Sequence, residues 1–264
     1  MASGRPAEMP PGAPGGIVLP GGTPENPLAI GLSATPPVVT LPMSHVRQVS
    51  VANLELSQRS TTPVTVVSEV DVSRLKTAHD TMKPNFEQTT GIPLTYTAYF
   101  VRATVKALQA FPIMNATLTA QGHIIPRYIH LGFAVQTPTG VYIPNIWNAQ
   151  SKSVGDIAHD LHVQGQRARA GQIPLQEMSG HTFVITNTGT FGKTLFGTPT
   201  IKPPNVGILS FETIQKRPVV DEYDQIVVKP MMYMALSADH RAVDGADMIG
   251  FIGKVKEYLE TLNL

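Results

Sequence analysis

The chain has 264 residues, enough for one large domain or two small ones, with 42% hydrophobic residues, 15% charged residues and a formal net charge of +1. That balance excludes the basic footprint of a nucleic-acid binder and a purely electrostatic membrane role, and no apolar run reaches the roughly 18 residues that a bilayer span needs. The absence of cysteine removes disulfides, thiolate metal sites and a cysteine nucleophile, while the low charged fraction implies surface covered by other copies.

Residues 1–43 are rich in proline and glycine, as in Pro10-Pro11-Gly12 and Pro20-Gly21-Gly22, and read as a disordered or extended arm. No basic stretch followed by an apolar one opens the chain, so no secretory leader is expected. Composition changes at Ser44, and one domain is expected over 44–264. It begins with a short helix or extended segment over 45–58 and a strand over 64–70. A helix over 72–90 follows, which Pro84 breaks or kinks. A second helix spans 94–111, with Ala98, Val101, Val105 and Leu108 at helical spacing. Strands are expected at 116–119, 123–125, 129–136 and 141–146. Ser153 caps a helix that has Asp156 in its first turn and runs to about residue 170, where Gly171 ends it. Strands at 181–186, 206–212, 217–220 and 225–236 lead to a last helix over 244–262, with an apolar stripe of Met248, Ile249, Ile252, Val255 and Leu259. The uneven alternation argues for an α/β fold, a mixed sheet backed by helices.

Two strings can carry chemistry. In Asp239-His240-Arg241-Ala242-Val243-Asp244-Gly245 an apolar strand delivers an imidazole, and four residues later an Asp-Gly opens an amphipathic helix. An imidazole at a strand end can face a cleft and exchange a proton near neutral pH. The alternative is a buried ion-pair turn of His240, Arg241 and Asp244 without chemistry. In Thr182-Phe183-Val184-Ile185-Thr186-Asn187-Thr188-Gly189-Thr190-Phe191-Gly192 a strand ends in hydroxyls, an amide and glycines. Such an end can aim a hydroxyl at developing negative charge, or it can be ordinary turn chemistry. The stretch 187–194 nearly matches a phosphate-binding loop, but it starts on Asn187 and runs into Pro199 and Pro203-Pro204 rather than a helix, which rules out nucleotide hydrolysis. His159 and His162 lie three apart near Asp156 and Asp160. With no third ligand and no H-E-x-x-H they read as solvated helix histidines, and no metal is expected.

Taken together, these strings resemble the catalytic core of dihydrolipoamide acyltransferases, the core component of 2-oxo acid dehydrogenase complexes. The first string is similar to their D-H-R-x-x-D-G signature, with Pro230-Met231-Met232-Tyr233 upstream, and the second to T-F-T-[IL]-[ST]-N-x-G-x-x-G. Residues 198–209 resemble T-P-I-I-N-P-P-x-x-A-I-L, Phe111-Pro112-Ile113-Met114-Asn115-Ala116 a family turn, and Val46-Arg47-Gln48-Val49 an N-terminal segment. The likeness covers about 44–262 and is strongest after Thr182. H-x-x-x-D-G alone is shared with chloramphenicol acetyltransferase and condensation domains. The chain departs from the pattern at Thr62-Pro63-Val64, at Trp147 in place of a basic residue and at Gln150 in place of an acidic one. The last two bear on local coenzyme A or subunit contacts.

The resemblance implies a chloramphenicol acetyltransferase-like two-layer sandwich, built as a homotrimer. It implies transfer of an acyl group between a dihydrolipoyl thiol and coenzyme A, with catalytic residues His240 as general base, Thr186 as oxyanion donor and Asp244 either orienting the imidazole or, the favoured role, pairing with Arg47 to fix the turn. His240 and Thr186 then come from different subunits, with coenzyme A and the lipoyl arm entering from opposite ends. Trimers are expected to build a hollow core through the C-terminal helix, a cubic core of twenty-four copies being favoured over a dodecahedral one of sixty. The implied partners are a lipoyl domain and the decarboxylase and dihydrolipoamide dehydrogenase components, in the cytoplasm or, in a eukaryote, the mitochondrial matrix. The first lysine is Lys76, inside the domain, so the lipoyl group is expected from another domain or chain. Thr186-Asn187 and residues 230–236 favour succinyl over acetyl or branched-chain acyl groups. Two other readings stand beside this one: a non-catalytic structural core or binding protein of such a complex, and a small-molecule O-acetyltransferase.

Overall fold

A computed structural model describes residues 42–138, 140–192 and 194–264. The proline- and glycine-rich stretch lies outside them, save Pro42 and Met43. Where the composition changes, the Ser44 hydroxyl accepts the Arg47 N–H at 3.2 Å and starts α1, His45–Ser60. The segment is therefore helical throughout, although only Ser57 is buried in it. Next come β1, Pro63–Asp71, and α2, Ser73–Thr90, which closes on Gly91 at φ +68°. Pro84 neither ends nor splits α2: the helix runs on through it, anchored by buried Leu75 and His79. α3, Tyr96–Ala110, is the most deeply buried helix, with Phe100, Val101, Val105 and Leu108 inside the core.

The two long strands expected over 129–136 and 141–146 are each divided. β2 (Thr117–Thr119) and β3 (Gly122–Ile124) form one hairpin, β5 (Val135–Thr137) and β6 (Gly140–Tyr142) another. β4 (Leu131–Phe133) and β7 (Asn145–Ile146) stay in the main sheet. The first division falls at Ala134, whose N–H is still bonded to the Ile185 carbonyl of β8 before the chain turns into the β5–β6 hairpin, and the second at Ile143 and Pro144, where it returns. α4, Val154–Arg169, begins with a complete Ser153–Asp156 capping box, and Gly171 turns the chain at φ +67°.

β8 (Phe183–Asn187), β9 (Gly207–Phe211), β10 (Gln215–Val220), β11 (Ile226–Asp239) and α5 (Gly245–Thr261) complete the order. The main sheet runs β1-β11-β9-β8-β4-β7, with β10 on β11. β8 is parallel to β4 and β9, and the other pairs are antiparallel. Phe211 stacks on Phe100 of α3 at 4.4 Å and Phe183 packs on Phe251 of α5 at 5.5 Å, so helices back the mixed sheet. The buried stripe of α5 is Met248, Phe251, Ile252, Val255 and Leu259. Ile249, expected within it, is 63% exposed, because the helical repeat places it beside that face rather than on it. Among the described residues no helix is long and apolar enough to cross a membrane.

Candidate active site

Thr186 lies one residue from the end of β8, half-buried, opposite Ser210 of β9. It lines a cavity of about 640 Å³, with apolar walls from Phe133, Leu161, Ile185 and Phe191 and polar groups from Thr97, His162 and Arg169. The neighbouring polar groups are engaged within the chain. The Asn187 amide donates to Thr97 Oγ1 at 2.9 Å, the Thr188 hydroxyl to Glu212 Oε2, and the Thr190 hydroxyl to the Asn187 carbonyl at 3.0 Å. The Thr186 hydroxyl has no partner among the described residues. It is an uncommitted donor in a largely apolar wall, the environment in which a hydrogen bond to growing negative charge is strongest.

His240 follows the last residue of β11 and is exposed. Its N–H is held by the Thr62 carbonyl at 2.9 Å, while its ring has no partner among the described residues. The turn around it is tightly built. Asp239, 4% exposed, accepts from the Arg241 guanidinium at 2.7 Å and from the Thr62 N–H at 3.1 Å. Burial by itself pushes the Asp239 carboxyl up, but Arg241 and the backbone N–H groups of Thr62 and Arg241 outweigh it and hold it below the usual carboxylate range. His123 of β3 places Nε2 2.8 Å from the Ala242 carbonyl, to which it donates. The Asp244 carboxylate accepts from the Ala246 and Asp247 N–H groups at 2.9 and 3.1 Å and caps α5. The ion pair of this turn is thus Asp239–Arg241, with His240 standing outside it. Asp244 acts as a helix cap, and it forms no ion pair with Arg47 among the described residues, because its near oxygen faces the helix N–H groups and Arg47 is exposed on α1.

Within one chain these two groups stand apart. Thr186 is in register with Ser210, and Ser210 with Ala235, five residues before His240. At about 3.4 Å per residue and 4.8 Å per strand, the Cα atoms are on the order of 20 Å apart. A base and an oxyanion donor must each come within about 3 Å of the same reacting group. His240 and Thr186 of one chain therefore cannot share a substrate.

Two further histidines find their partners far along the chain. His123 is one, and the hairpin that carries it to Ala242 gives no local signal. His181 is another: its Nδ1 accepts from the Asn205 amide at 2.8 Å, and its Nε2 is buried without a partner. Burial first, and the nearby Lys202 charge second, lower its pKa to about 4, while burial lowers that of Lys202 to about 8. His162 faces the cavity and His159 is solvated. Among the described residues no group of three or more His, Cys, Asp or Glu side chains is placed to hold a metal. Trp147 packs edge-on against His130 at 4.6 Å, and Gln150 Oε1 accepts the Ile129 N–H at 2.9 Å.

Residues 35–264 match the family model described as 2-oxoacid dehydrogenases acyltransferase (catalytic domain). The succinyltransferase component of the 2-oxoglutarate dehydrogenase complex of Cupriavidus necator is 36% identical over 224 residues, 85% of this chain and 53% of that protein. The chain thus spans about half the length of the curated relatives it matches. The Azotobacter vinelandii dihydrolipoamide acetyltransferase superposes with a TM-score of 0.82 at 28% identity, covering 85% of this chain and 92% of that one. The cubic core of a pyruvate dehydrogenase multienzyme complex gives a TM-score of 0.82 at 27% identity, covering 89% of this chain and 96% of that one.

Proposed function

The chain belongs to the 2-oxoacid dehydrogenase acyltransferase catalytic-domain family, and from that premise we propose that residues 44–264 form an enzyme moving an acyl group between a dihydrolipoyl thiol and coenzyme A. Succinyl is the favoured acyl group, in keeping with relatives named as succinyltransferases. The observation that carries the proposal is the pair of uncommitted groups at opposite ends of one sheet, an exposed imidazole and a cavity-wall hydroxyl. Each is half of an acyl-transfer site, and their separation makes sense when His240 of one copy meets Thr186 of another. The Azotobacter enzyme is described through a serine, a histidine and an asparagine in its mechanism, the last two four positions apart. His240 and Asp244 share that spacing, and Thr186 supplies the hydroxyl.

Both thiols are substrates, and a cavity of about 640 Å³ with apolar walls can take a thioester arm. A thiol with a pKa near 8.5 is only a few per cent thiolate at neutral pH. His240 accepts its proton as the sulfur attacks the thioester carbonyl, and returns that proton to the departing sulfur. Thr186 donates a hydrogen bond to the carbonyl oxygen as it takes up charge. Asp244 caps α5 and so holds the turn that presents the imidazole. On this reading the chain works as a homotrimer, with trimers joined into a cubic core. A lipoyl group carried by another domain or chain, and the decarboxylase and dihydrolipoamide dehydrogenase components, serve the same site.

The test is transfer from succinyl-, acetyl- and branched-chain acyl-coenzyme A to free dihydrolipoamide, beside His240→Ala. Turnover with succinyl-coenzyme A fastest, and a loss of about 10²–10⁴ in kcat for the variant, are expected. Absent turnover with all three donors in the parent chain would favour a structural core instead, and unchanged turnover in the variant would reject His240 as the base.

A further inference from the structure

Among the described residues only two acids are buried almost completely, Asp239 at 4% exposure and Glu212 at 1%. Asp239 has its arginine. Among the described residues Glu212 has no basic partner, and its carboxylate is held by hydroxyls. Ser210 Oγ donates to Oε1 at 2.6 Å, and Thr188 Oγ1 donates to Oε2. Ser210 is the residue opposite Thr186 across the β8–β9 ladder, and Thr188 lies two residues beyond Thr186 along the chain. One carboxylate thus grips the backbone across from Thr186 and just after it. The Glu212 backbone adds to the grip. Its N–H is fixed to the Tyr233 carbonyl of β11 at 3.1 Å, and its own carbonyl sits so close to Gly189 that a Cβ there would collide with it. A carboxylate buried without a cation is costly to keep. Its effect here is to commit the Ser210 and Thr188 hydroxyls, so that of the threonines at the end of β8 only Thr186 is left free to face the cavity.

We propose that Glu212 is a positioning residue for acyl transfer: by binding Ser210 and Thr188 it fixes the exit of β8 and keeps the Thr186 hydroxyl aimed at the reacting carbonyl. The proposal rests on the reading of Thr186 as the oxyanion donor. Glu212 touches no substrate and acts only through its neighbours. Its loss should lower kcat and leave the KM for acyl-coenzyme A nearly unchanged, because the contact it orients is made in the transition state.

The test is a double-mutant cycle in the full chain, reading kcat and KM for succinyl-coenzyme A with dihydrolipoamide, and thermal unfolding alongside. Thr186→Ala should lower kcat by about 10²–10³. Glu212→Ala should lower it by about 10–10², the cost of a displaced catalytic group. Added to Thr186→Ala, it should cost less than about threefold more. Glu212→Gln should recover most of the rate, since a carboxamide can still engage both hydroxyls. Should Glu212→Ala fail to fold, Thr188→Val and Ser210→Ala remove one tie each, and each should slow the reaction only while Thr186 is present. Equal losses with and without Thr186, or a lowered melting temperature with kcat intact, would overturn the proposal and leave the donor role standing. Full activity in Thr186→Ala would overturn the donor role itself, and the proposal with it.

Discussion

The two ends of the central sheet present their reactive groups by opposite means. Where β8 and β9 finish, Thr186 is set into a cavity wall, and the chain around it is braced by hydroxyl and amide contacts, with no ion pair among the described residues. Where β11 finishes, His240 stands in solvent on a turn braced by the Asp239–Arg241 ion pair, the Asp244 cap and His123. The difference lies in how much of the working environment one chain supplies. A hydrogen-bond donor for growing charge is useful when it is shielded from water, and on the proposed reading the cavity walls of a single chain give Thr186 part of that shelter. The backbone of His240 is held but its ring is uncovered, and on the proposed reading the surface of another copy completes its surroundings.

This contrast can be broken first at the His240 turn. Arg241→Ala leaves the buried Asp239 carboxylate with N–H donors but no cation, and should lower the midpoint of urea unfolding more than Thr186→Ala, His181→Asn or Asp244→Ala. Thr186→Ala, by comparison, removes a hydroxyl that has no partner among the described residues and should change stability by less than about 0.5 kcal/mol. Equal stability losses in the two variants would erase the distinction. Acid sharpens it further. Burial lowers the folded-state pKa of His181 to about 4, below the ordinary histidine value of 6.5, so the unfolded chain takes up its proton first as the pH falls. Stability contributed by the neutral imidazole is then lost from about pH 6.5 downward, by about 2 kcal/mol at pH 4.5. His181→Asn should flatten that part of the stability profile, and a slope unchanged by the substitution would assign it to other groups. The smallest effect is expected for Asp244→Ala, about 1 kcal/mol for a lost helix cap. A thousandfold fall in kcat with unchanged stability would instead make Asp244 an orienting partner of the imidazole.

Features coded by neighbouring residues were readable from the sequence. The Ser153 cap with Asp156 in the first turn of its helix, and the strand that delivers His240 to the Asp-Gly opening of the last helix, follow from short-range spacing, and the structure contains each of them; the capping role of Asp244 is a finding of the structure, the sequence pointing instead to the imidazole or to Arg47. What escaped depends on distant partners. The division of the strands follows from β4 joining β8, some fifty residues away, while β5 and β6 pair with each other, and no local periodicity reports it. Ile249 was expected in the buried stripe of α5 because it is apolar and adjoins Met248, but apolarity does not distinguish a core face from a surface that another copy can cover. Pro84 warned of a break, yet one missing N–H did not outweigh the packing of α2. Thr186 and His240 can be named from the two strings, but their separation is implied only by the family resemblance; no local pattern carries it, because it depends on the order and register of β8, β9 and β11.

That separation leads to the most direct measurement. His240→Ala and Thr186→Ala chains, each nearly inactive alone, should be coexpressed with different tags and purified as mixed assemblies. A site built between copies regains one intact pairing wherever the histidine of one variant meets the threonine of the other, so acyl transfer should return to a substantial fraction of the parent rate. Mixed assemblies no more active than the two variants assayed separately would contradict a site shared between chains.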